Sequence, residues 1–274
     1  MCIRDRDEGA ITILPNIKYK AAMKVGAFSN LVRSADCDFD ATTSGMTLTE
    51  KVLTPTELQV NLQICKKGLH ADWEASQKGF SAFDELPPLF SDFVIARVGA
   101  EIAQATETSI WGGAAGEGNF DGLKTLLQAD ATVVDVTGTS VDASNVITEL
   151  NKIITAIPSG VYGSEDLVLY VSTAIAKAYI QAQAALGYRE LYNVGQTEIN
   201  FQGIPMFVTS GLNTNNAVAA RKSNLFFGTG LLDDRNEVKV IDMADIDGSQ
   251  NVRFVARYTA GVQVGVGADV VLYS

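Results

Sequence analysis

A chain of 274 residues is long enough to bury a substantial core, and 47% apolar against 19% charged residues is a globular composition, which excludes a disordered tail or spacer. A formal net charge of −11, with no basic run longer than Lys66-Lys67, excludes a dedicated nucleic-acid reader, whose affinity rests on lysines and arginines neutralising phosphates. Three widely spaced cysteines, Cys2, Cys37 and Cys65, make neither a disulfide framework nor a zinc knuckle, and no apolar run reaches membrane-spanning length.

The opening decapeptide MCIRDRDEGA turns polar before any apolar stretch, so it reads as a tail and not as a secretory signal. Residues 11–45 carry no sustained period. Ile11, Ile13 and Ile17 suggest a short strand, and the remainder reads as an extended arm with turns around Asp36–Asp40 and Ser44-Gly45. From 56 onward Leu58, Val60, Leu62 and Ile64 alternate with Glu57, Gln59, Asn61 and Gln63, the period-two mark of a half-buried strand. Met46, Leu48, Glu50 and Val52 alternate less cleanly upstream, and Thr54-Pro55-Thr56 separates the runs. Together they predict a long two-stranded ribbon. A ribbon of that kind is marginal alone and needs something to lean on, such as a neighbouring copy.

The longest helix is predicted from Pro88 to Trp111. Proline suits a first turn, Phe90, Val94, Val98 and Ile102 recur at i+4, and Gly112-Gly113 ends it; its length is roughly 35 Å at ~1.5 Å per residue. The glycine-rich GGAAGEGNFDGLK (112–124) marks a change of subdomain, and residues 131–140 read as strand and turn. Residues 142–157 form the clearest amphipathic helix, with Val146, Ile147, Leu150, Ile153, Ile154 and Ile157 on one face and Asp142 as the expected N-cap. LVLYV (167–171) predicts a strand buried on both faces, followed by an alanine-rich helix 174–186 capped by Ser172 or Thr173 and ended by Gly187. Strands and turns fill the rest: 199–208 broken by Gly203 and Pro205, then 217–221, 224–227, 237–243 and an alternating C-terminal stretch from Val252 to Leu272. Helices and strands mix without strict alternation, so the class is α+β.

The search for chemistry returns no catalytic constellation, no cofactor motif and no metal site. His70 is the single histidine, in GLHADWE, and reads as a surface or interface residue. Gly116-Glu117-Gly118 follows a helix where a dinucleotide fingerprint must follow a strand, so it reads as a linker. Asp242, Asp245 and Asp247 before Gly248 lack the distal glutamate of a calcium loop and read as a turn. Glu74, Asp84, Glu85, Glu101 and Glu107 offer carboxylates that nothing in the sequence brings together, and Arg97 with Glu101 has the spacing of a helix ion pair. Trp73 and Trp111 read as packing anchors. The residues expected to reach a second copy are Leu58, Val60 and Leu62 on the ribbon with Lys66, Lys67 and Trp73 at its exit, the lysines serving equally as solubilising edge charge.

The ordered set of segments carries a resemblance. TLTEKVLTPTELQVNLQICKKGLHADW is similar to an extended loop and its exit, the helix ending ETSIWGG to a spine helix, and GNFDGL to the segment that follows it; NFQGIPMFVTSGL and NLFFGTGLLDD resemble parts of an axial domain, and VRFVARYTAGVQVGVGADVVLYS resembles closing strands. In this order they resemble the major capsid proteins of tailed bacteriophages, the fold named after phage Hong Kong 97. The resemblance covers most of residues 40–274 and divides the chain into an N-terminal arm (1–45), an extended β-ribbon loop (46–75), a peripheral domain with the spine helix (76–124), an axial domain (125–233) and strands returning to the peripheral domain (234–274). It implies a structural subunit and not an enzyme: hexamers and pentamers around an icosahedral shell that encloses double-stranded DNA without a sequence-specific grip, assembled in the host cytoplasm and resident in the virion. It implies scaffolding, portal and cement proteins as further partners, no membrane and no cofactor. The Lys, Asn and Glu with which some relatives crosslink their subunits have no counterpart traceable here. The alternatives are an encapsulin-like compartment shell of the same fold, and a soluble α+β enzyme or binding domain.

Overall fold

The computed structural model describes residues 9–17, 19–28, 32, 34, 37, 46–65, 88–116, 118–187, 199–230 and 238–274. Thirteen described strands, β1 to β13, form three sheets. A five-stranded sheet is organised around β12 (Asn251–Val264), a 14-residue strand. Along one edge β12 pairs antiparallel with β4 (Thr56–Cys65) over ten residues; along the other it pairs with β11 (Val238–Asp242) and then β10 (Leu225–Thr229). Phe254 is paired to both Leu62 and Val240, and Ala260 to both Thr56 and Thr229, which places β4 opposite the other two. β1 (Thr12–Leu14) completes the sheet, parallel to β10.

Alternation along β12 decides what the sheet packs against. Val252, Phe254 and Ala256 are buried while Arg253 and Arg257 are exposed. On the buried face Phe254 and Ala256 pack with Val60, Ile64, Val240 and Val98, the last from helix α1 (Pro88–Gly112). Thr106 of α1 lies 3.2 Å from the Tyr258 hydroxyl. The predicted long helix therefore exists and lies along this sheet, with Ile102 buried; the side chains of Phe90 and Val94 lie outside the described set. Arg97 and Glu101 form the expected i,i+4 pair at 3.0 Å, and with both side chains well exposed it contributes a few tenths of a kcal/mol. Among the described residues no helix is long and apolar enough to cross a membrane.

The second sheet has six strands in the order β5 (Val134–Val136), β13 (Val271–Tyr273), β9 (Ala217–Arg221), β6 (Leu167–Ser172), β8 (Ile204–Thr209), β7 (Ile199–Phe201). Its central strand is the LVLYV run, and every residue of β6 is buried. The alternation hidden inside that apolar run now has a meaning. Leu167, Leu169 and Val171 face helices α3 (Val146–Ala156) and α4 (Thr173–Ala185), whereas Val168 and Tyr170 face Trp111 at the end of α1 and Leu123 and Leu127 of helix α2 (Leu123–Ala129). The β7–β8 hairpin turns on Gln202 and Gly203, both at positive φ, as a two-residue connection requires.

Helix ends follow the sequence with one change. Ser172 caps α4: its Oγ accepts from Ile175 N and donates to the Thr214 carbonyl at 2.6 Å. Gly187 at φ 89° ends that helix region in the left-handed conformation. Ser172→Ala is expected to lower unfolding free energy by about 1 kcal/mol, measured by urea denaturation, because the Ile175 N–H and the Thr214 carbonyl lose their partner together. The N-cap of α3 is Asn145 and not Asp142. Asp142 accepts from the N–H groups of Ser144 and Asn145, so its carboxylate stabilises a turn just before the helix.

Four boundaries differ from the expectation. Residues 46–53, strand β3 (Met46–Leu53), do not pair with β4; they pair with β2 (Ala21–Phe28) in a separate two-stranded ribbon. Part of the stretch assigned to an arm is core: Ala10, Ile11 and Ile17 are buried, and the Tyr170 hydroxyl donates to the Ala10 carbonyl. β10, placed by the sequence in the axial region, joins the five-stranded sheet with β12. β13, placed among the returning strands, joins the six-stranded sheet. The chain passes from one sheet to the other around Gly265–Val270, where the Gly265 N–H donates to the Asn224 carbonyl, the Val266 N–H donates to Asn224 Oδ1, and a short 3-10 turn redirects it.

Candidate functional site

The candidate site is a surface, because several of the carboxylates singled out from the sequence are engaged within the fold. Glu101 pairs with Arg97, and Glu107 accepts from Ser210 N–H and Oγ. Asp242 and Asp247 accept from the N–H groups of Ala244 and Ser249 in their own turn, around Gly248 at φ 71°. Glu149 is buried and bonded to Lys152 and Tyr273. No cluster of three or more metal-ligating side chains occurs among the described residues. His70, Glu74, Asp84 and Glu85 lie outside them.

What stands out instead is the β2–β3 ribbon. Two-stranded sheets bury little and need support. Here every residue named on one face is exposed: Ala22, Lys24 and Gly26 on β2 stand opposite Val52, Glu50 and Leu48 on β3. Leu48 is 61% and Val52 39% exposed, beside the small Ala22 and Gly26, with the opposite charges of Lys24 and Glu50 between them. The other face, with Met23, Val25 and Lys51, is half-buried. At its inner end Leu53 is fully buried, Gln263 Nε2 donates to the Val52 carbonyl at 2.9 Å, and Lys51 Nζ reaches Asp130 Oδ2 at 2.6 Å. Lys51 and the hydrogen bonds from Thr132 hold the Asp130 carboxyl down at about 2.

The contact candidates named from the sequence fall differently. The expectation that the Leu58–Leu62 run lacks a partner within the chain is overturned by its ten-residue ladder with β12. Leu58 is 6% exposed in the main core and Val60 packs against Phe254 and Ala256, so both hold the subunit's own sheet to α1. Leu62 alone of the three keeps substantial surface, at 38% exposed. Lys66, Lys67 and Trp73 lie outside the described residues. Trp111 is the expected packing anchor, fully buried with its ring 5.0 Å from that of Tyr170. The exposed ribbon face was missed because AAMKVGAF, the β2 sequence, alternates small residues with one lysine and carries too little apolar contrast to show a period.

No family model matches the chain, and no curated protein is similar to it in sequence. Solved structures are similar over nearly its whole length. The capsid of a native GTA particle matches with a TM-score of 0.67 at 14% identity, covering 97% of this chain and 88% of that one. The structure from Gordonia phage Cozz matches with a TM-score of 0.61 at 14% identity, covering 97% and 85%. A virus-like particle from Pyrococcus furiosus matches with a TM-score of 0.55 at 10% identity, covering 97% and 90%. At such identities the likeness is one of fold: this chain has the α+β, Hong Kong 97-like fold of phage capsid subunits.

Proposed function

We propose that the protein is a major capsid protein, a structural subunit whose copies assemble as hexamers and pentamers into an icosahedral shell around phage double-stranded DNA. The observation that carries this reading is the fold match, which takes in almost the entire chain and most of each capsid chain. The ribbon supports it. A two-stranded element with exposed Leu48 and Val52 gains burial when a second copy covers it, at roughly 25 cal/mol per Å² of apolar surface. The net charge of −11 suits a wall that encloses DNA without gripping it. Assembly in the host cytoplasm, residence in the virion, and scaffolding, portal and cement partners belong to the same proposal. A compartment shell is the second reading, favoured by the virus-like particle among the similar structures.

The test is expression of the full chain followed by size-exclusion chromatography and negative-stain microscopy. Closed shells or ring-shaped capsomers are expected, and nucleic acid inside separates a phage capsid from a compartment. A monomer that stays soluble on concentration and turns over a small molecule overturns the reading. Replacing Leu48 and Val52 together by serine is expected to abolish or delay shell formation, scored by particle counts. Unfolding free energy of the subunit should stay within about 0.5 kcal/mol, since both side chains are at the surface.

A further inference from the structure

The five-stranded sheet has two faces, and α1 lies against the one that carries Phe254 and Ala256. On the other face the ladder register sets cations from distant parts of the chain side by side. Arg253 and Arg257 stand four residues apart on β12, and Lys239 of β11 is paired with Val255, midway between them. On the opposite side of β12, Gln63, Asn61 and Gln59 of β4 are paired with Arg253, Val255 and Arg257. Directly paired residues share a face, so three cations and three amides form one surface. All six side chains are exposed. Arg253 Nε donates to Gln63 Oε1 at 2.9 Å, which holds the guanidinium on the sheet and uses one of its five donors. Further along β12 the same face is taken up where the chain leaves the ribbon: Gln263 bonds to the Val52 carbonyl, and a Cβ on Gly261 would lie 3.0 Å from Pro55. Carboxylates stand at the margins, Glu57 opposite Thr259 at one end and Asp245 and Asp247 in the β11–β12 turn at the other. Among the described residues no carboxylate forms an ion pair with Arg253, Arg257 or Lys239.

A cluster of positive charge on a chain of net charge −11 fits a polyanion. The side chains around it say which kind. A protein partner is held by aromatic or large apolar anchors in buried pockets. Between these cations stand only Val255 and Ile241, both half-buried, and no aromatic side chain. A phosphate backbone needs no apolar anchor, and arginine, lysine, asparagine and glutamine are its usual donors. Arg253 and Arg257 lie about 14 Å apart along the strand. Each strand of a DNA duplex carries a phosphate about every 3.4 Å of axis, so this row spans about four of them. From this geometry we infer that the open face of β4, β12 and β11 is a contact for the phosphate backbone of duplex DNA. The contact is indifferent to base sequence and weak, since the rest of the chain repels the duplex. That the DNA is the one enclosed by the shell rests on the capsid reading above.

Fluorescence anisotropy of a labelled short duplex of mixed sequence, titrated with the unassembled full chain, tests the contact. With three phosphates neutralised, affinity is expected to fall about 20-fold between about 50 and about 150 mM salt. Lys239→Gln, Arg253→Gln and Arg257→Gln together are expected to weaken binding about tenfold at the lower salt and to flatten the salt dependence. A second triple variant, Lys20→Gln, Lys24→Gln and Lys177→Gln, removes the same charge from exposed sites elsewhere and is expected to bind within about twofold of the wild-type chain. Arg253→Lys with Arg257→Lys keeps the charge and is expected to keep the salt dependence, which separates lost charge from lost structure. A wild-type chain that does not bind the duplex at the lower salt overturns the contact. So does an equal loss in both triple variants, because net charge alone would then account for binding. Displacement of the duplex by polyglutamate at equal charge concentration also overturns it and assigns the face to an acidic polypeptide. Shell formation is scored separately. A chain that binds the duplex through this face and never forms shells counts against the capsid reading alone; a chain that forms shells while its first triple variant binds like the wild type counts against the contact alone.

Discussion

Replacing Trp111 by alanine is expected to cost about 4 kcal/mol of unfolding free energy, close to the whole stability of many domains. The indole is fully buried and packs beside Tyr170 of β6. It sits at the C-terminal end of α1, the helix that lies along the five-stranded sheet, and belongs to the cluster that runs through Leu123 and Leu127 to Val218 and Leu272 of the six-stranded sheet and to Phe227, Val262 and Val264 of the other. Gly211 approaches so closely that a Cβ there would lie 2.8 Å from Trp111 Cδ1, so on that side the indole meets backbone and no side chain that could fill the space. Removal therefore opens a cavity at the junction of the two sheets. Urea denaturation followed by tryptophan-independent circular dichroism measures the loss. If the sheets fold as one cooperative unit through this junction, the variant keeps a single transition at lower denaturant; two separated transitions would show that Trp111 couples units able to fold apart.

The sequence was most legible where a single period could have only one physical cause. The stripe Val146, Leu150, Ile153 and Ile154 makes α3 because four residues on one helical face have no other way to be buried together. LVLYV reads as a strand with two dry faces, and its odd and even residues indeed enter different clusters. Legibility ended where the question became one of partners. Alternation at Leu58, Val60 and Leu62 says that one face is buried, but it cannot say against what. The partner strand begins at Asn251, and the cross-strand hydrogen bond from Arg253 Nε to Gln63 Oε1 spans 190 residues. The run 46–65 looks like a hairpin because Thr54-Pro55 resembles its tip, yet at that point the chain passes from the ribbon into a different sheet. Likewise, alternation through the C-terminal stretch fits either large sheet, and only the turn near Gly267 sends β13 to the second.

The surface was harder to read than the core for the same reason. A residue that will meet another copy and a residue that meets its own chain obey the same hydrophobic preference. Leu58 and Leu48 are indistinguishable as leucines on alternating strands, and only the fold assigns the first to the core and leaves the second 61% exposed. The Lys51–Asp130 pair was invisible because 79 residues separate its members and neither belongs to a motif.

The C-terminal strand holds the second large effect. Tyr273 is almost fully buried in β13, its hydroxyl donating to Glu149 Oε2 at 2.8 Å and accepting from the Thr139 N–H at 3.2 Å. The segment 138–139 can cross the ring because residue 138 is glycine, where a Cβ would meet the phenol at 2.3 Å. Tyr273→Ala is expected to cost about 4 kcal/mol, through the lost ring and the buried carboxylate left with fewer partners. Tyr273→Phe isolates the polar part and is expected to cost about 2 kcal/mol at neutral pH. Burial and then the neighbouring Glu149 carboxylate push the phenol up to about 12 from its usual 10.0. A pKa raised in the folded state means that the contribution is complete below pH 10 and is lost as pH rises from about 10 to 12. Lys152 holds the Glu149 carboxyl below its ordinary range, so its contribution is present above that range and is lost as pH falls through the lowered value. Stability measured from pH 7 to pH 11.5 should therefore fall more steeply in the wild-type chain than in Tyr273→Phe, and the gap between them should narrow toward the alkaline end. Parallel curves over that interval would show that the phenol and the carboxylate are not coupled, and would leave the ring's packing as the whole of its contribution.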